Sequence, residues 1–295
     1  MTNNVLVIAG VAYDHILHVE SLDLSKAETV FCQNAYYTLG GTGSGKALNL
    51  NNLGFDVTLQ CRVGNDWQGE KVLDALKSHD INLIVDRDES GTECHTNLMG
   101  PSGHRKSFFT QMGEFEPDIA LSSIESDIQA ADAVHLNIVN YARYFIPLIQ
   151  AYKKPTWVDL HDYDGENPYY QDFIHAAHVI MLSSQNLPNY RQFMEAQIDQ
   201  GKQLVICTHG KEGATCLSAT GQWVEQPIDH RFKLVDANGA GDAFLSGFHF
   251  GQNAGWSIEK SMQAGSIVAG LAVETRQLSN DKLCPKLLHR YMQFS

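Results

Sequence analysis

The sequence predicts an α/β protein: a mainly parallel sheet covered by helices on both faces, with a small β-sheet lid over its cleft. Three observations predict it. Short, β-rich apolar runs recur along the chain, and helical patterns separate them. Two stretches, about 15–39 and 92–112, break that rhythm with short strands and turns. Strand and helix in alternation argue for βαβ units, and strands buried on both faces read as apolar runs rather than alternating ones.

The elements follow in order. Val5–Gly10 (VLVIAG) is a buried-type strand. Asn34–Leu39 is a further strand, and a helix over 46–53 ends at Gly54. Val57, Leu59, Cys61 and Val63 alternate with polar neighbours, as in a half-buried strand. Glu70–Ser78 gathers Val72, Leu73 and Leu76 on one helical face. His95–Met99, the turn residues Gly100–Gly103, and Arg105–Gln111 read as a hairpin. Ala133–Ile138, Thr156–Leu160, Val179–Leu182 and Leu204–Cys207 are further strands, with a helix at Pro188–Gln200 between the last two. The whole of 1–295 reads as one domain, with no internal repeat and no low-complexity linker. Ligands of such folds bind beyond the carboxyl ends of the strands.

Composition excludes several functions. The chain carries 34 acidic and 21 basic residues, a formal charge of −13, which repels a polyanion and argues against nucleic-acid binding. The longest apolar stretches are less than half of a membrane span, so no membrane partner is expected. Met1–Val5 has no basic n-region, which makes the expected location cytoplasmic. The six cysteines, at 32, 61, 94, 207, 216 and 284, include no C-x-x-C pair, so scattered buried thiols are expected. The 13 histidines contain no H-E-x-x-H and read as surface or satisfied polar residues.

Two glycine-rich strings carry chemistry. In Leu39–Ala47 (LGGTGSGKA), Gly40 to Lys46 matches the P-loop spacing, but Ala47 stands where a hydroxyl should hold Mg²⁺. Asp159 could be drafted as the second-motif aspartate of such a P-loop NTPase. The other readings are a structural turn and a backbone that a substrate must approach closely. The second string is Val235–Phe244 (VDANGAGDAF). Gly239 and Gly241 let a turn feed successive N–H groups into a helix N-terminus, which binds an anion. Asp242 at that helix start reads either as a first-turn carboxylate or as a general base beside the anion site. Phosphoryl transfer to a hydroxyl needs both a charge-holding hole and a proton acceptor.

With these residues quoted, the sequence resembles the ribokinase-like (PfkB) family of carbohydrate and nucleoside kinases. D-A-N-G-A-G-D at 236–242 is similar to the family's D-T-x-G-A-G-D, and Gly40-Gly41-Thr42-Gly43 partly matches its early Gly-Gly loop. Gly10–Leu17, Val63–Gly69 (VGNDWQG) and Cys207–Gly213 (CTHGKEG) are further echoes. The resemblance implies a Rossmann-like three-layer core with a β lid, ATP and Mg²⁺ as cofactors, and a small sugar or nucleoside as partner. By similarity Asp242 would be the catalytic base, and the backbone of Asn238, Gly239, Ala240 and Gly241 the anion hole. Asp14, Gly40 and Gly41 would bind the acceptor, together with the departures Gly45 and Lys46. Thr208, Gly210 and Gly213 would line the nucleotide side, with the apolar 264–273 helix beside the adenine. Asp236 would help hold a monovalent cation such as K⁺.

The departures bear on acceptor and metal. Gly45 replaces the family's sugar-binding Asn, Ala237 its Thr, and Ser183-Ser-Gln-Asn186 lacks the carboxylate of its N-x-x-E element. Lys46 is either an altered acceptor contact or a solvated helix residue, and Arg105 either a phosphate contact or a solvated lid arginine. The expectation is an ATP-dependent kinase acting on a sugar or nucleoside hydroxyl. The competing readings are a non-catalytic, ligand-sensing member of the fold and a P-loop NTPase centred on Lys46. A homodimer through the lid is the expected assembly.

Overall fold

The computed structural model describes residues 4–23, 25, 29–100 and 105–293. The chain opens with β1 (Asn4–Ile8), β2 (Ala12–His18), β3 (Asn34–Gly40), α1 (Thr42–Asn52), β4 (Asp56–Val63), α2 (Trp67–Lys77), β5 (Ile81–Arg87), β6 (Cys94–Met99) and β7 (Arg105–Gln111). It alternates onward through α3 (Glu125–Ala130), β8 (Ala133–Leu136), α4 (Ile146–Ala151), β9 (Thr156–Asp159), α5 (Gln171–Ala176), β10 (Val179–Ser183), α6 (Tyr190–Asp199) and β11 (Leu204–Thr208). β12 (Ala214–Ser218), β13 (Trp223–Gln226), α7 (Ala240–Asn253), α8 (Ile258–Val273) and α9 (Pro285–Met292) close it.

Among the described residues the larger sheet runs β13-β12-β11-β10-β9-β8-β1-β4-β5. From β11 to β5 every pairing is parallel, and β12 and β13 are antiparallel. Period-two alternation makes the three layers. Val5 and Val7 face Leu50 of α1, Val268 of α8 and Leu288 of α9. Leu6 and Ile8 face the other way, toward Ile128, Ile149 and Phe173 of α3 to α5. The parallel run brings the strand carboxyl ends to one edge, so the residues just after β1, β8, β9, β10 and β11 share one rim.

The smaller sheet has the order β3-β2-β6-β7 and comes from the two stretches that broke the α/β rhythm. Asp14 pairs with Thr38, Ile16 with Tyr36 and Asn97, and Asn97 with Ser107. The intervening Tyr13 and Tyr37 stack on the opposite face, 5.9 Å apart, with Trp67 edge-on to both. Asp66 ties this sheet to the core. It caps α2 by accepting the Gly69 N–H, and it accepts both the N–H and the hydroxyl of Thr92 at the entry to β6. That is the work of the aspartate in V-G-x-D-x-x-G.

Several expectations need correction. The helix expected at 46–53 starts at Thr42, so Gly43 and Gly45 lie inside it. Glycine lowers helix propensity, but here the backbone packs onto Ala9 and Asp242, and tertiary contact overrides propensity. The Gly40–Lys46 string is therefore a strand end and a helix, and a P-loop centred on Lys46 is excluded. The hairpin turn expected at Gly100–Gly103 lies outside the described residues beyond Gly100. Cys61, Cys207 and Cys216 are buried free thiols, each pushed up to about 12 by burial, whereas Cys32 is exposed. His135 and His249 are fully buried rather than superficial. No described helix is long and apolar enough to cross a membrane.

Candidate active site

Residues 236–242 turn the chain into α7 at the rim. Gly239 is the N-cap in the left-handed region (φ 77°), where an L side chain would be strained. The Asn238 N–H donates to Asp236 Oδ1 (2.8 Å) and the Ala240 N–H to the Ala237 carbonyl (3.3 Å). The amides of Gly239, Gly241 and Asp242 have no acceptor among the described residues, as the first turn of a helix dictates. Of the four residues read as an anion hole, Gly239 and Gly241 thus keep a free donor, and Asp242 adds one. Asp236 spends both oxygens in holding the turn, accepting from Asn238 and from the Tyr36 hydroxyl (2.8 Å) of the small sheet. Arg105 also reaches across from that sheet, donating to Asn238 Oδ1 (2.7 Å).

Asp242 is only 6% exposed. Burial pushes its carboxyl above the usual carboxylate range, and Lys46 and His161 pull against that rise. Lys46 is not solvated: it is 1% exposed, with Nζ 2.5 Å from Asp242 Oδ1 and 3.3 Å from Asp159 Oδ2. Burial alone would lower its pKa, but Asp242 and Asp159 outweigh it and hold the ammonium above its usual value. Asp159 accepts the His161 N–H (3.0 Å), and His161 Nδ1 lies 3.4 Å from its other oxygen. Burial would raise Asp159, but His161 and Lys46 together hold it low. A Cβ on Gly45 would sit 2.7 Å from Asp242 Oδ2, so only glycine leaves room for that carboxylate.

A second polar group lies on the face of the small sheet that Asp14 occupies. Asp14 Oδ2 accepts from Asn97 Nδ2 (3.1 Å), and Oδ1 lies 2.9 Å from His95 Nδ1. His95 Nε2 is 2.8 Å from Glu93 Oε1. Burial opposes a proton on His95, but the two carboxylates more than offset it and lift the imidazole to about 9. Gly40, at the end of β3, lies directly against the Asp14 carboxylate, and Gly41 against Val11. Phe109, 61% exposed, stands 4.2 Å from the His95 ring. The sequence reading did not include Glu93, His95 or Asn97. Their spacing of two in a strand, with a charged residue at each step but one, was the available signal.

On the far side of the rim, the Thr208 hydroxyl donates to the Leu182 carbonyl (3.3 Å). Gly210 follows β11, and Gly213 packs onto the backbone of Gln226 and Pro227. The Pro227 carbonyl accepts from Ser266 of α8 (3.4 Å). Beside it is a cavity of about 240 Å³ lined by Gln226, Ile228, Asp229, Arg231, Gln263 and Ser266. Asn186, at the position of the missing carboxylate, donates to the Asp162 carbonyl (2.9 Å). No group of three or more His, Cys, Asp or Glu among the described residues is arranged to hold a metal ion.

A sequence profile of the pfkB family carbohydrate kinases matches residues 2–283. The chain belongs to the pfkB family. Relatives that it matches are named carbohydrate kinases or phosphotransferases, and this chain is a carbohydrate kinase. It is 29% identical over 273 residues to an acarbose 7(IV)-phosphotransferase of an Actinoplanes species, covering 91% of each chain. It is 25% identical over 239 residues to a fructoselysine 6-kinase of Shigella flexneri, covering 80% of this chain and 89% of that one. Among solved structures, a microbiome-derived acarbose kinase superposes with a TM-score of 0.87 at 28% identity, covering 99% of this chain and 100% of that one. A ribokinase of Arabidopsis thaliana superposes with a TM-score of 0.82 at 18% identity over the whole of both chains, a likeness of fold.

Proposed function

We propose that this pfkB-family kinase transfers the γ-phosphoryl group of ATP to a hydroxyl of a neutral, unphosphorylated sugar. One observation carries the reading: a buried carboxylate, Asp242, stands in the first turn of α7 beside amides that have no acceptor. The acceptor oxygen attacks the γ-phosphorus as Asp242 takes its proton. The amides of Gly239, Gly241 and Asp242 hold the charge spreading over the phosphoryl oxygens, and Arg105, already at Asn238, adds a positive charge beside them. The charge of the ATP phosphates would be neutralised by a divalent cation such as Mg²⁺ carried on them, with no described cluster of this chain's carboxylates to hold it. Adenine lies along α8, which the cavity next to Ser266 supports. Thr208, Gly210 and Gly213 flank that side. The small sheet acts as a lid, because its Tyr36 and Arg105 both reach the turn before α7, at Asp236 and Asn238. Its outer face, where Tyr37 and Trp67 are about half exposed, pairs with a second copy, and sedimentation as a monomer at every concentration would refute that pairing.

The acceptor's chemistry follows from charge. Asp14 and Glu93 share one imidazolium, which leaves the acceptor side net negative and hostile to a phosphorylated sugar. The exposed ring of Phe109 suits the apolar face of a pyranose. The acarbose kinases among the relatives make acarbose and related oligosaccharides the first acceptors to try. The test is acceptor-dependent ADP release over neutral sugars, acarbose, phosphosugars and nucleosides, with and without K⁺. Turnover is expected with a neutral sugar, and Asp242→Asn should lower kcat by about 1000-fold or more while still binding ATP. Near-normal turnover of that variant would remove Asp242 from the mechanism. The amide at Asn186 favours a second reading, a ligand-sensing member of the fold. Silence across the whole panel would select it.

A further inference from the structure

We propose that Lys46 is a positioning residue for Asp242: its ammonium fixes one carboxylate oxygen and leaves the other free to take the acceptor's proton. The inference rests on the kinase reading above. It also gives the two departures at 45 and 46 a single cause, which is the seating of the base.

The geometry is specific. Nζ lies 2.5 Å from Asp242 Oδ1, while Oδ2 makes no hydrogen bond among the described residues. Oδ2 faces the bare α-carbon of Gly45, where any side chain would displace it. Gly45 thus opens the space and Lys46 supplies the charge. Lys46 is set in turn by Asp159, 3.3 Å away on the end of β9, whose other oxygen is tied to the His161 backbone. Three elements meet here, and the charged or titratable groups facing Asp242 are Lys46 from α1, with Asp159 and His161 from the end of β9. A fully buried lysine is costly unless its partners are fixed, and two of its three donors are already spent on carboxylates. Lys46 is 1% exposed, which leaves it no surface with which to grip an acceptor.

The transfer step balances. The acceptor oxygen forms a bond to the γ-phosphorus, and the bond from that phosphorus to the β–γ bridging oxygen breaks. ADP leaves with the electron pair, and the hydroxyl proton passes to Asp242 Oδ2. Burial pushes the Asp242 carboxyl up and the ammonium pulls it down, so taking Lys46 away favours a proton on the base before the acceptor arrives.

The experiment measures kcat and both KM values from pH 5 to 9 for wild type, Lys46→Gln, Lys46→Arg and Asp159→Asn, with thermal unfolding of each. Lys46→Gln should lose about tenfold or more in kcat at pH 7 and recover as the pH rises, with the KM for ATP unchanged. Lys46→Arg should keep the wild-type profile. Asp159→Asn removes a like charge from Asp242 and should move the acid limb the other way, to lower pH; it tests the idea even if Lys46→Gln does not fold. Losses equal at every pH, in step with reduced thermal stability, would make the lysine merely structural and overturn the proposal. A raised acceptor KM with an unmoved profile would make it an acceptor ligand and overturn it too. Either result, with wild type active and Asp242→Asn dead, leaves the kinase reading standing. No turnover by wild type on any acceptor removes both.

Discussion

Helix α7 carries two buried titratable clusters, and they solve the same problem in opposite ways. At its first turn Asp242 meets Lys46 and Asp159, and the cluster keeps its charges by pairing them. Two turns further along, His249 Nδ1 lies 2.8 Å from His135 Nε2 with Trp157 stacked on both rings, and among the described residues neither imidazole is paired with a carboxylate. Burial pushes His249 down to about 3, and burial with the fields of His249 and Lys46 holds His135 well below its usual value. Both imidazoles are therefore neutral at pH 7. Burial does not decide whether a group is charged inside this protein; a counter-charge within hydrogen-bonding distance does. The charged cluster sits at the strand carboxyl ends, where a proton must move. The neutral one lies about two turns along α7, stacked on Trp157.

The larger effect that would break this comparison is a stability measurement. A histidine whose folded pKa lies below its unfolded value binds protons mainly when unfolded, so its stabilisation is complete above about pH 6.5 and is lost as pH falls toward 3. For His249 alone the linkage amounts to about 2 kcal/mol between pH 7 and pH 5. Asp159 is held low and Lys46 high, so neither changes its charge in that window. Urea unfolding at pH 7, 6 and 5 should show this fall in wild type. It should shrink by at least that amount in a His135→Leu/His249→Phe double variant, which removes both depressed imidazoles. An equal slope in the two proteins would mean that the pair is charged or open to water.

The same contrast explains what was legible in the sequence. Local signals sufficed where chemistry is local: the apolar runs at 5–10, 133–138, 156–160, 179–182 and 204–207 all became parallel strands, and Asn238–Asp242 became a helix start with free amides. The two irregular stretches did pair into one small sheet. What could not be read was long-range. Lys46 meets Asp159 and Asp242 across 113 and 196 residues, so a lysine after a glycine run looked like a P-loop or a solvated residue. The glycines at 43 and 45 look like a loop until the Ala9 and Asp242 surfaces they touch are known. Glu93 and His95 lie in a stretch recognised as a hairpin, but Asp14, the other partner of His95, lies on a different strand.

The smallest effect sharpens the comparison most, because it concerns a histidine that behaves as Lys46 does. His95 is mostly buried, like His249, yet its pKa rises to about 9, since Asp14 and Glu93 bracket its two nitrogens at 2.9 and 2.8 Å. Here the folded pKa lies above the unfolded one. The contribution is therefore complete below about pH 6.5 and is lost as pH rises through about 9. When the proton leaves, Asp14 and Glu93 face each other without the charge between them, and the acceptor side loses its shape. The KM for the sugar should rise about fivefold between pH 8 and 10 at saturating ATP, the effect of roughly 1 kcal/mol at a partly solvated pair. Glu93→Gln removes one of the two carboxylates, so the rise should begin at lower pH. A KM flat to pH 10 in both proteins would show that the His95 charge takes no part in holding the acceptor, and that counter-charge at this sheet serves only the fold.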